Sequence, residues 1–251
     1  MNWQADHLAA FRQSLPKGEM PDPGRRYIPR VWGSCSHLGD QLPNAPLDRT
    51  ALLTLAADES VSTEVVCWSI MAWGEMHGRH RNTLAALAQA PWIDVADLIR
   101  LGQLDRAKAY DAFRQLKLGK PDKMPGVGPA YFTKLIFFLM PRSARAHPVG
   151  YIMDQWAACS INLLTADSVV LTDCLLSWQY KCSTLSRRGT FTVSACNTSH
   201  NYENYCRAIE ALAQEIGRNA SETELALMSG GGTSKKRWRE YVIDHRQPQS
   251  E

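Results

Sequence analysis

Apolar residues recur three and four positions apart along most of the chain, which is the spacing of one face of an α-helix. The spacing predicts short helices separated by proline and glycine breaks, over residues 3–15, 51–57, 61–76, 82–90, 95–101, 105–116, 130–139, 155–164 and 201–216. Residues 168–196 differ, because β-capable runs there are interrupted by Arg187-Arg188-Gly189 and indicate a small β-hairpin insertion. The sequence therefore predicts a mainly all-α fold.

Length and composition bound how these helices are organised. With 251 residues and 45% hydrophobic content, the chain can bury a full core as one large domain or two intimate helical subdomains. We expect an N-terminal helix and irregular arm over residues 1–50, a helical core over 51–228 and a basic C-terminal tail over 229–251. The segment 235–239 (KKRWR) of this tail is either a flexible tail or a terminal helix, and the functional alternative is that it contacts phosphate. Residues 221–224 (SETE) fit a capping box for the last core helix.

A glycine bend precedes the most apolar of these helices. In Pro125-Gly126-Val127-Gly128-Pro129, two glycines flank one β-branched residue, so the backbone can turn sharply before a helix that Pro129 starts and Pro141 ends. Backbone amides at a helix N-terminus favour an anion such as a phosphate. The alternative interpretation is a tight turn between packed helices.

The bend resembles the hairpin of the helix-hairpin-helix DNA glycosylases. Residues 128–135 (GPAYFTKL) are similar to the bacterial 8-oxoguanine-glycosylase-like branch, and residues 151–158 (YIMDQWAA) fit the place of that superfamily's aspartate. The resemblance is specific over 124–158 and weaker over about 65–228. It implies a helix-hairpin-helix glycosylase fold in which Gly126, Val127, Gly128 and Pro129 hold double-stranded DNA while a modified base is flipped out and excised.

Asp154 is the catalytic residue that the resemblance implies. Cleavage of an N-glycosidic bond builds positive charge on the sugar, and a nearby carboxylate stabilises that charge or activates the attacking nucleophile. The alternative is that Asp154 is only the N-cap of the helix that follows. Both roles are compatible, because a cap also anchors the carboxylate.

Lys134 is the second catalytic candidate. Bifunctional members of the superfamily carry a nucleophilic lysine two positions after the second glycine, and this chain has Ala130 there. Lys134 lies one helical turn further on, among apolar neighbours. It is interpreted as a Schiff-base nucleophile with abasic-site lyase activity, as a contact of the base pocket, or as a surface lysine whose head reaches solvent.

A base pocket is predicted near the end of the helix over 61–76. Residues 72–82 (AWGEMHGRHRN) combine an aromatic side chain with polar groups, which an extruded base needs for stacking and for its edge. The expected pocket residues are Trp73, Met76, Arg79, Asn82, Ala130 and Trp156. The alternative is a glycine C-cap whose basic neighbours complement the helix dipole.

Charge and cysteine content limit the functional classes to which the protein can belong. A net charge of +3 means that DNA contact depends on a local patch. The seven cysteines include no CxxC pair, so neither a metal nor another cofactor is expected. No signal peptide or membrane span is apparent, and we expect a cytoplasmic monomer. A non-catalytic DNA-binding protein and a structural protein remain as alternatives, as do DNA repair and defence against modified phage DNA.

Overall fold

The computed structural model describes residues 1–18, 27–76, 80–82, 91–143, 147–181, 184–229 and 236–246, without the side chains of 176–188. Helices dominate this part of the chain, as predicted. They are α1 (Ala5–Ser14), α2 (Pro29–Trp32), α3 (Arg49–Ala57), α4 (Thr63–Trp73), α5 (Pro91–Arg100), α6 (Arg106–Leu118), α7 (Pro129–Leu139), α8 (Gln155–Thr165), α9 (Ser199–Ile216), α10 (Ala220–Leu227) and α11 (Arg237–His245). A two-stranded sheet, β1 (Thr172–Lys181) and β2 (Thr184–Val193), follows α8. None of these helices combines the length and apolar character needed to cross a bilayer.

Helix α7 lies at the centre of the first group of helices. Its side chains are buried almost all round, including Phe132, Leu135 and Ile136, as expected of a helix surrounded by others. It packs against α3, α4, α5 and α6. The helix begins at Pro129 and its C-cap is Met140, just before Pro141, so both sequence signals for its ends are confirmed.

Helices α8, α9 and α10 form a second group. Helix α9 begins at the capping box of Thr198 and Asn201 and ends at Gly217 in the left-handed conformation. It packs on α6 of the first group, where Arg106 donates to Glu203 over 2.7 Å and also to Glu210. The two groups are therefore joined by a partly buried ion-pair network, which fits the predicted pair of intimate helical subdomains.

The predicted β-hairpin is confirmed. Strands β1 and β2 pair antiparallel, with Thr172 opposite Val193 and Lys181 opposite Thr184. The β-capable residues 169–171 are not part of the ladder. The amide of Asn162 binds both backbone groups of Val170, and the amide of Asn197 binds both backbone groups of Leu171. Asn162 thus binds the backbone groups of Val170 that a strand would have used, whereas the Leu171 carbonyl also accepts the Ser194 N–H over 3.0 Å.

The C-terminal segment contains a packed helix. Helix α11 lies against α1 and α8, and its Trp238 is buried. The predicted capping box at 221–224 is wrong, because α10 begins two residues earlier, with Asn219 accepting the Glu222 N–H. Glu224 is instead buried in an ion pair with Arg49 of α3. The helix therefore begins at the Asn219 cap, and Glu224 makes a tertiary contact rather than a capping one.

Candidate active site

The glycine bend is a closed turn whose two glycines have different roles. The Val127 N–H donates to the Met124 carbonyl over 3.0 Å, and the Val127 side chain is fully buried. Gly126 has φ +78°, and a Cβ there would overlap the imidazole of His80. Gly128, the N-cap of α7, has ordinary backbone angles and open space where a Cβ would lie. The fold itself requires glycine only at 126.

Residues 151–153, which directly precede Asp154, hydrogen-bond to side chains of α7 and α9. The Tyr202 hydroxyl donates to the Tyr151 carbonyl over 2.9 Å, and the Tyr205 hydroxyl donates to the Ile152 carbonyl over 2.6 Å. The Met153 N–H donates to Thr133 Oγ1 of α7 over 3.1 Å. Burial raises the pKa of Tyr202 and of Tyr205 well above 10, so both hydroxyls remain donors at neutral pH.

Asp154 is the N-cap of α8, as predicted. Its Oδ1 accepts the N–H groups of Trp156 and Ala157, each over 2.9 Å. Both bonds fall on one oxygen, and within the described residues Oδ2 forms no hydrogen bond. The carboxylate is therefore held in a fixed orientation at a half-buried position.

Asp154 borders a cleft of about 450 Å³. The predicted site residues that line it are Trp73, Gly126, Gly128, Pro129, Ala130, Lys134, Asp154 and Trp156. Thr192 and Val193 add the end of β2 to its wall. A larger cavity of about 1040 Å³ shares none of these residues, and its Arg100 is engaged by the carbonyls of Ala56 and Val61. The smaller cleft is the one that joins the glycine bend to the carboxylate.

Comparison of the sequence with models of protein families identifies the family of this chain. The sequence model of the family described as "Putative 8-oxoguanine DNA glycosylase OGG-like protein" matches residues 19–228. The chain belongs to this OGG-like family. No curated protein and no solved structure matches it. The match includes the glycine bend and Asp154, confirms the predicted superfamily, and leaves α1 and α11 outside.

Lys134 lies one helical turn beyond Ala130, the position that corresponds to the nucleophile of bifunctional glycosylases. Both residues line the cleft. The lysine stem packs against α4, because a Cβ at Gly74 would lie 3.0 Å from its Cδ. Its ammonium lies 4.6 Å from the centroid of the Tyr131 ring, a cation–π distance. The lysine is thus held at the cleft wall by its stem and by a ring.

Five of the six predicted base-pocket residues lie in the described part of the chain, and three of these five line the cleft, namely Trp73, Ala130 and Trp156. Trp73 and Trp156 reach the cleft, and Trp73 is nearly fully buried, with its ring edge-to-face 5.0 Å from Phe138. Met76 is buried in the core, where its carbonyl accepts the Trp32 indole N–H over 3.2 Å. Asn82 is exposed and does not line the cleft, and Arg79 lies outside the described residues.

Arg239 of α11 lines the cleft, whereas the sequence indicates it only as part of the basic segment 235–239. Its guanidinium lies 4.6 Å from the centroid of Trp156, and its Nη2 donates to the Met228 carbonyl over 3.0 Å. The signal in the sequence was the aromatic residue within the basic segment 235–239. That pattern indicated a surface appendage, because nothing local indicates that the helix returns to the cleft.

Proposed function

We propose that this OGG-like protein is a DNA glycosylase that extrudes a modified base from double-stranded DNA and cleaves its N-glycosidic bond, leaving an abasic site. The observation that carries the proposal is the position of Asp154. Its carboxylate is anchored at the wall of a cleft whose other walls include the glycine bend and the N-terminal turn of α7. A strand held at the bend would present its sugar to this carboxylate.

The bend suits a phosphate of that strand. Gly128 and Pro129 begin α7, where the helix dipole and backbone amides favour an anion. Open space in front of Gly128 would let a sugar-phosphate backbone approach closely. In this proposal Gly126 shapes the turn, Val127 anchors it in the core, and Gly128 and Pro129 form its binding surface.

Asp154 would act on the positive charge that develops on the sugar. As the base departs with the electron pair of the glycosidic bond, the carboxylate stabilises the sugar cation or accepts a proton from the attacking nucleophile. Two backbone N–H donors hold Oδ1, so the carboxylate need not reorient during the reaction. The same two hydrogen bonds then cap α8 and orient the catalytic carboxylate.

Lys134 determines whether strand scission follows. If its amine attacks the sugar carbon, the base leaves and an imine forms, which gives the enzyme abasic-site lyase activity. If Lys134 only contacts the base, water is the nucleophile and the product is an intact abasic site. Borohydride trapping separates the two routes, because only the imine is reduced to a stable adduct. Loss of the adduct in Lys134→Ala would assign the nucleophile.

The test of the proposal is base release from duplexes that each carry one modified base. We expect release by the wild type and at least a hundredfold slower release by Asp154→Asn, as a rough estimate for the loss of such a group. Asparagine is an equally good N-cap, so the fold should survive. Asp48→Asn makes the same change at the N-cap of α3 and is expected to keep wild-type release.

Two other results would overturn the proposal. One is DNA binding by the wild type without base release from any member of a broad panel, which would favour a non-catalytic DNA-binding protein. The other is undiminished release by Asp154→Asn. The base that is released also decides the biological role. Release of oxidised guanine would support base-excision repair, and release of bulky phage-type bases would support antiviral defence.

A further inference from the structure

The two terminal helices meet outside the part of the chain that matches the family. The ring of Phe11 in α1 packs edge-to-face on Trp238 of α11, with centroids 4.8 Å apart. His7 Nδ1 lies 2.9 Å from the Tyr241 hydroxyl. Helix α1 is itself joined to α8 by the Gln4 N–H, which donates to the Leu164 carbonyl over 2.8 Å. Both terminal helices are thus fixed to the helix that Asp154 caps.

Trp238 fixes the position of α11 on α8. Its side chain is buried, and its indole N–H donates to Ser160 Oγ over 2.9 Å. The Ser160 hydroxyl in turn donates to the Leu227 carbonyl at the end of α10. An aromatic residue held by packing and by a hydrogen bond is a strong anchor. The backbone position of the next residue is therefore fixed.

That residue is Arg239, which faces the cleft. It is 6% exposed, and its guanidinium lies over Trp156 and is bound to the Met228 carbonyl. Trp156 follows Asp154 by two residues and lines the same cleft. A guanidinium held in this way has already lost most of its rotamer freedom, so it can bind a further group at little entropic cost.

We propose that Arg239 contacts the flipped base and favours bases that present carbonyl oxygens. The inference rests on the function proposed above. A guanidinium carries only hydrogen-bond donors and stays charged, so it binds an oxo group and is mismatched against an amino group at the same ring position. Arg239 is almost fully buried at the cleft wall, which favours contact with an extruded base over contact with a phosphate of the exposed DNA backbone.

A matched control is present on the same aromatic ring. The guanidinium of Arg246 lies 5.1 Å from the Trp156 centroid and 4.2 Å from that of Phe191. It donates to the Gly189 carbonyl of β2 and does not line the cleft. Arg246→Met therefore removes a guanidinium from Trp156 without removing one from the cleft. Comparison of the two variants therefore distinguishes loss of support for the Trp156 ring from loss of a contact with the base.

The experiment measures duplex affinity in an Asp154→Asn background, in which base release is expected to be slow. The paired ligands are 8-oxoguanine against 8-aminoguanine and hypoxanthine against adenine, each at one position of the same duplex. We expect tighter binding of the oxo member in at least one pair. Arg239→Met should reduce that ratio by about tenfold or more, because a charge-assisted hydrogen bond is lost. Arg246→Met should keep the ratio while lowering thermal stability.

Two results would overturn the inference. One is equal affinity for the two members of each pair when Arg239 is intact. The other is an equal loss of affinity for both members in Arg239→Met, which would mean that Arg239 only supports the wall. If that variant does not fold, Arg239→Lys keeps the charge but loses the planar fork, and it must still lower the ratio. An Arg239-dependent ratio together with no base release by the wild type would refute the proposed chemistry and leave base recognition standing.

Discussion

Arg49 Nη1 lies 2.6 Å from Glu224 Oε2 in an ion pair that is almost completely removed from solvent, with 8% and 0% of the two side chains exposed. Burial raises the pKa of Glu224, as does the negative charge of Asp154, while Arg49 and the Ile152 N–H oppose the rise. The Arg49 guanidinium also lies 4.8 Å from the Phe137 centroid. The pair thus connects α3, α7 and α10 directly behind the loop that carries Asp154.

Glu224→Gln is expected to destabilise the protein strongly. Glutamine removes the carboxylate charge and leaves the Arg49 charge buried without this counter-ion, which typically costs about 3–5 kcal/mol. The measurement is the free energy of unfolding in urea. The control is Arg49→Met combined with Glu224→Leu, which removes both charges and should recover much of the loss. A single variant as stable as the wild type would contradict this account.

A second prediction concerns Thr133, which joins the bend helix to the Asp154 loop. Its hydroxyl is fully buried, donates to the Pro129 carbonyl over 2.7 Å and accepts the Met153 N–H. Thr133→Val keeps the shape but leaves that N–H without an acceptor, so we expect a loss of about 1–3 kcal/mol in unfolding free energy. Base release should also slow, because Asp154 follows Met153 directly.

Thr133→Ser is the control for this change. Serine keeps the hydroxyl and loses only a methyl group, so it should retain most of the base-release rate. Single-turnover assays with saturating enzyme would measure the chemical step apart from DNA binding. Equal rates for the valine and serine variants would mean that the Thr133 hydroxyl does not position the carboxylate.

The two glycines of the bend give a third prediction, because their surroundings differ. At Gly126, alanine would adopt φ +78° and overlap His80, so Gly126→Ala should lower stability by about 1–3 kcal/mol or more. At Gly128 the backbone angles are ordinary and space is open, so Gly128→Ala should leave stability nearly unchanged. If a DNA strand approaches Gly128, the added methyl group should nevertheless weaken duplex binding. Unchanged affinity in a stable Gly128→Ala protein would count against strand contact there.

Much of this site could be predicted from the sequence, because its signals are local. The start and end of α7 follow from Pro129 and Pro141, and the cap at Asp154 follows from a polar residue before an apolar run. The glycine bend also sits in one short segment. Such features depend on residues a few positions away, which can be identified directly from the sequence.

The remaining features depend on contacts that are distant in sequence. Arg239 reaches the cleft only because Trp238 docks α11 on α8. Glu224 resembles a capping residue locally, but its partner Arg49 lies far earlier in the chain. Met76 shares the helical spacing of Trp73, yet it points into the core beside Trp32. Periodicity identifies an apolar face but does not say which element covers it.

The contact between the terminal helices gives a pH prediction. Burial lowers the pKa of His7 from 6.5, nearby His245 lowers it further, and Asp6 opposes both. Well above pH 6.5 His7 is neutral in the folded and the unfolded chain, so its contribution to stability is fully present. As pH falls below 6.5 the unfolded chain takes up the proton first, and the free energy of unfolding decreases. The contact of α1 with α11 should weaken in that range.

The free energy of urea unfolding, followed by intrinsic tryptophan fluorescence at several pH values from 7.5 to 5.5, would measure this effect. His7→Gln has no titrating group and keeps a polar partner for the Tyr241 hydroxyl, so its stability should fall less over the same range. His200→Gln is the control, because His200 lies in the first turn of α9, where its Nε2 is 3.0 Å from Asn204 Nδ2. If both variants lose stability as steeply as the wild type, His7 is not the titrating group. If only His7→Gln has a flatter profile, protonation of His7 loosens the helix that carries Arg239, and selective base binding should weaken at acidic pH.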